Sequence, residues 1–106
     1  MTVREWLEAR RPEPPAALTA RLNEVLGDGA DRDLADCPEV LMAAGERLVS
    51  SLLAGDVESR GSALDLLVAD ALVTYAFEAA SADAASIATR ASDAMGRIAA
   101  LPALTP

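Results

Sequence analysis

The segment from Ser62 to Ala80 constrains this chain most. Between those positions the only polar side chains, apart from the Tyr75 hydroxyl, are Asp65, Asp70, Thr74 and Glu78. Leu64, Leu66, Leu67, Val68, Leu72, Val73, Tyr75 and Phe77 point in nearly every direction around a helical axis. A helix apolar on most of its circumference is one that neighbours cover. Spacings of three and four recur along the rest of the chain, and no alternating strand pattern does. The expected fold is all-α, with helix over more than about 65% of residues. It is a compact bundle of four to five helices, with helix four (about 62–81) at its centre and Leu67 and Leu72 in its core.

The flanking segments supply the other helices. Thr2 and Glu5 have the spacing of a capping box, and Val3, Trp6 and Leu7 form an i, i+3, i+4 stripe. The run Arg11-Pro12-Glu13-Pro14-Pro15 ends that first helix, because each proline pushes the residue before it into extended geometry. Residues 1–11 are thus expected to form an appended N-terminal helical arm, 12–15 a proline linker, 15–101 the helical bundle and 102–106 a frayed tail. All belong to one domain, 1–106. A second helix, about 15–26, presents Leu18, Leu22, Val25 and Leu26 and stops at Gly27. A third is capped by Asp36, has Pro38 in its first turn, buries Leu41, Leu48 and Leu52, and ends at Gly55.

Ser62 and Asp65 have capping-box spacing at the start of helix four. A fifth helix, about 83–101, aligns Ile87, Ala91, Ala94, Ile98 and Leu101, with Met95 beside them and Pro102 beyond. A break at Ser81-Ala82-Asp83 is expected. The line Leu64, Leu67, Ala71, Tyr75, carried onward, lands on Ser86 and Asp93, and this change of phase suits an antiparallel hairpin.

Twenty-four alanines dilute the apolar content, and the larger apolar residues number roughly thirty, enough for one core. The net charge of −8 repels phosphate backbones and anionic lipid, so neither nucleic acid nor a membrane surface is an expected partner. One cysteine, Cys37, gives no internal disulfide, residues 1–11 lack the apolar core of a secretory signal, and Asp65, Asp70 and Glu78 interrupt the greasiest segment. Cytoplasm is the expected location.

Chemistry is narrowed by what is missing. Without His there is no imidazole base or histidine metal ligand. Without Lys there is no Schiff base and no phosphate-loop lysine. Cys37-Pro38 has the form of a thiolate haem ligand, but reads as a packed cysteine ahead of a first-turn proline. The acidic run Asp28, Asp31, Asp33, Asp36 fails the calcium-loop pattern in both registers. Read from Asp28, Ala30 and Arg32 stand where oxygen ligands are needed; read from Asp31, Asp36 stands where glycine is needed. Asp70, Thr74 and Glu78 form an i, i+4, i+8 line that reads as the solvated edge of its helix rather than a carboxylate pair for acid–base work.

The expected function is therefore that of a non-enzymatic protein-interaction or regulatory module, without metal or cofactor, whose partner is another protein or a second copy in a homodimer. Helix three adds Val40, Met42, Val49 and Leu53 to the apolar surface that a short chain must cover. Trp6, with Val3 and Leu7, is the candidate interface on the arm. The alternative is a carrier or sensor of a small apolar ligand held between Ala-rich helices.

Overall fold

The structure, a computed structural model, describes residues 1–55 and 60–102. Of these, 85% are helical, and no strand forms among them, so the fold class is all-α. Among the described residues there are four α-helices: α1 (Val3–Glu8), α2 (Ala16–Leu26), α3 (Cys37–Ala54) and α4 (Arg60–Ala99), with short 3-10 turns at Gly27–Asp31 and Leu34–Asp36.

The local signals at α1 and α2 act as their chemistry dictates. Thr2 Oγ1 accepts from the Glu5 amide at 3.2 Å, and Glu5 Oε1 accepts from the Thr2 amide at 3.3 Å. Gly27 ends α2 at φ +51°, a conformation that a Cβ would disfavour. Asp36 precedes α3 but does not cap it. Its carboxylate accepts from Arg32 at 3.0 Å instead, while Asp33 caps the preceding turn by accepting from the Ala35 amide at 3.0 Å.

Two expectations about α4 are corrected. It is one continuous helix of 40 residues, about 60 Å long at 1.5 Å per residue, with no break at Ser81-Ala82-Asp83. Those three positions hold neither Gly nor Pro, and the alanines around them are the strongest helix formers. It also begins ahead of the Ser62-Asp65 pair. Ser62 lies buried in the first turn, and Asp65 accepts from Arg21 of α2 through Nε at 2.7 Å and Nη2 at 3.2 Å.

Nor is α4 central. Only one side of its first half is covered, through Val68, Ala69, Leu72, Ala76 and Ala79. α3 runs antiparallel along that side: Gly45 faces Ala69, Leu72 and Val73, whereas Pro38 and Met42 lie near Ala76 and Ala80. Leu66, Leu67 and Phe77 are exposed, Leu67 at 62%, so its expected place in the core is wrong. The last turns of α4 extend past the N-terminal end of α3. The molecule measures 75 × 25 × 23 Å, with a radius of gyration of 19.4 Å against about 13 Å for a compact chain of this length. A closed, compact arrangement is not what one chain forms.

Helix α1 is part of the body and not an appended arm. The Val3 amide donates to Arg32 O and the Leu34 amide to Met1 O, both at 2.9 Å, and Arg4 pairs with Asp31. These bonds hold Val3 and Trp6 in the same core as Leu22, Leu26, Leu41 and Leu72.

The two leucines of α4 separate these arrangements. Leu72→Ala should cost about 2–5 kcal/mol, as for a fully buried leucine, while Leu67→Ala should stay within about 0.5 kcal/mol. Urea unfolding followed by Trp6 fluorescence measures both.

Candidate functional site

The candidate interface at the N-terminus is folded inward. Val3 is fully buried, Trp6 is nearly so, and only Leu7 stays half-exposed. The Trp6 ring meets Tyr75 edge to face, with centroids 6.1 Å apart and planes at 86°. The Arg10 guanidinium carbon lies 3.9 Å from the Trp6 ring centroid, and Arg10 Nε donates to Trp6 O at 3.1 Å. Trp6 thus joins α1 to α4 within its own chain, an arrangement that depends on an aromatic partner 69 positions away.

Cys37 sits in the first turn of α3 with no exposed surface. Burial pushes its thiol up to about 11; Glu39 adds to the shift and Arg10 opposes it. A protonated, enclosed thiol is a poor nucleophile and a poor haem ligand, since both roles need the thiolate. The side chain is a packing element.

The acidic run is divided among separate tasks. Asp31 pairs with Arg4, Asp33 holds the Ala35 amide, and Asp36 pairs with Arg32. Among the described residues, no three acidic, Cys or His side chains converge as a metal site would need. Asp70, Thr74 and Glu78 are all exposed and border a shallow depression with Arg10, Arg11 and Tyr75. Carboxylates in water on one helix edge lack the unequal burial that sets up an acid and a base. Asp65 was expected as a cap and instead ties α4 to α2. With Glu24, it holds Arg21 more firmly protonated than usual.

Clefts are small or open. One of about 140 Å³ lies between α1 and α2, where Leu7, Leu22 and Tyr75 meet Arg4, Glu8 and Arg10. A second groove, about 380 Å³, runs between α3 and α4. Met42, Ala76, Phe77 and Ala80 form its floor, and Glu39 and Glu46 are its charged residues. Beyond that groove, Ile87, Met95 and Ile98 on the projecting half of α4, and Leu101 just past its end, are between 56% and 69% exposed. This exposed apolar line continues from the groove; Val49, Leu53, Leu66, Leu67 and Phe77 are the other exposed large apolar residues of α3 and α4. Among those residues, no helix is long and apolar enough to cross a membrane. The chain matches no protein-family model, no curated protein and no solved structure.

Cys37 gives a sign that can be checked. Its folded-state value lies above the ordinary 9.0, so its contribution to stability is complete below about pH 9 and is lost as pH rises through about 11. Wild type should therefore lose more stability than Cys37→Ala between pH 8.5 and roughly pH 11, and native protein at pH 8 should react with a thiol reagent far more slowly than unfolded protein.

Proposed function

We propose that this chain is a non-enzymatic helical interaction module that forms a homodimer through the projecting half of α4. The observation that carries this is the line of Ile87, Met95 and Ile98, exposed on a helix that outruns every other helix among the described residues, with Leu101 exposed just past its end. Helices owe most of their stability to packing of an apolar face, and the face of this half is left exposed by its own chain among the described residues. A contiguous apolar surface of this kind usually marks a contact with another molecule.

Charge favours a second copy. Residues 83–101 carry Asp83, Asp93, Arg90 and Arg97, two of each sign, so this half is neutral and the whole −8 resides in residues 1–82. Association through the projecting helix therefore brings together the part of the molecule with no net repulsion, and the acidic bodies are screened beyond about 8–10 Å at physiological salt. A two-fold dimer is the commonest closed assembly. With a partner helix laid on the stripe, the helices would close into a bundle that one chain leaves open. A chain with neither His nor Lys, whose helix-edge carboxylates are solvated, is more simply an interaction element than an enzyme.

Light scattering at tens of micromolar should give about 22 kDa, twice the 11.0 kDa chain. The variant Ile87→Glu/Ile98→Glu should read near 11 kDa while its body still unfolds cooperatively. A wild-type mass of 11 kDa, unchanged up to several hundred micromolar, would contradict the proposal.

A further inference from the structure

The spacing along α4 specifies how a second copy fits. Beginning at Val73, the positions Val73, Phe77, Ala80, Ala84, Ile87, Ala91, Ala94, Ile98 and Leu101 alternate steps of four and three without interruption, and all nine are apolar. Steps of this kind repeat every 3.5 residues and make the seam of a two-helix coiled coil, as opposed to the wider stripe of a surface helix. The seam passes without a break from the α3–α4 groove, where Phe77 and Ala80 are floor residues, to the projecting half, where Ile87 and Ile98 are bare.

We infer that the projecting helix of one chain lies antiparallel in the α3–α4 groove of the second, with the two-fold axis near Ala85 and Ser86. The inference rests on the self-association proposed above. In this register two of the four kinds of layer, Ile87 with Ala84 and Phe77 with Ala94, set a large residue against a small one. Ile87 of each chain packs on Ala84 of the other, Phe77 on Ala94, and Ala80 on Ala91, so the Ala layers let the helices approach while Ile and Phe fill the space between. Val73 then meets Ile98. The parallel alternative stacks each residue on its own copy, placing Ile on Ile and Phe on Phe beside layers of Ala on Ala.

Charge selects the same orientation. Ala69, Ala76, Asp83, Arg90 and Arg97 recur every seven residues on one edge of the seam, and Ala69 and Ala76 are buried on the side that α3 covers. Antiparallel helices bring these equivalent edges together. Arg90 of each chain then faces Asp83 of the other, twice by symmetry. Arg97 arrives opposite Ala76, at the wall of the groove that carries Glu39 and Glu46. Neither Arg90 nor Arg97 has an ion-pair partner among the described residues. In a parallel pair this edge would instead meet Ser81, Ala88 and Met95, which offer no charge.

Disulfide trapping in the full chain tests the arrangement, with the enclosed Cys37 left in place. Ala80→Cys mixed with Ala91→Cys should give a cross-linked heterodimer under mild oxidation, while Ala80→Cys alone should give almost none. Arg90→Glu should weaken the dimer roughly tenfold, and adding Asp83→Arg to it should restore most of the loss. A dimer that cross-links Ala80→Cys to itself, or that the reversed pair does not rescue, would overturn this orientation and leave self-association standing. A monomer at every concentration would remove both.

Discussion

The contact on which the rest depends is the close approach of α3 to α4 at Gly45. A Cβ at that position would come within 3.1 Å of a Val73 methyl and 3.4 Å of the Leu72 Cβ, so the backbone of α3 lies nearly against the side-chain bases of α4. That approach fixes which side of α4 is dry. It places Ala69, Leu72 and Ala76 beneath α3 and, by the turn of the helix, leaves Leu66, Leu67 and Phe77 in water. It also aligns the α3–α4 groove with the stripe that continues beyond the end of α3. The exposed surface is a consequence of the packing that makes the core.

Local chemistry was legible in the sequence. The Thr2–Glu5 box, the proline stop after α1, Gly27 after α2, Pro38 at the start of α3 and Gly55 at its end each act through neighbours a few residues away. The helical class and the burial of Leu41, Leu48 and Leu52 followed from periodicity, whereas the all-round apolar character of helix four placed Leu72 correctly and Leu67 wrongly. The solvated character of Asp70, Thr74 and Glu78 followed from their shared edge.

What misled were questions of who lies beside whom. An all-round apolar helix can be wrapped by its own chain or left for another molecule, and composition is the same in both cases. The expected break near Asp83 came from following Leu64, Leu67, Ala71 and Tyr75, a line of which Leu64, Ala71 and Tyr75 pack on the core and Leu67 is exposed. The line that continues runs through Phe77, Ala80, Ala84 and Ile87. Long-range partners were equally hidden. Asp65 resembled a cap until Arg21 stood beside it, and the N-terminal arm resembled a free element until Thr2 met Asp33 and Trp6 met Tyr75.

We propose that the outer half of this single unbroken helix owes its stability to a second copy. Hydrogen exchange at the amides of residues 84–99, measured across a dilution series, tests it most directly. Strong protection at high concentration should fade on dilution, while amides of α3 and of residues 68–79 hold their protection. Protection of residues 84–99 that is absent throughout, or unaffected by dilution, would contradict it.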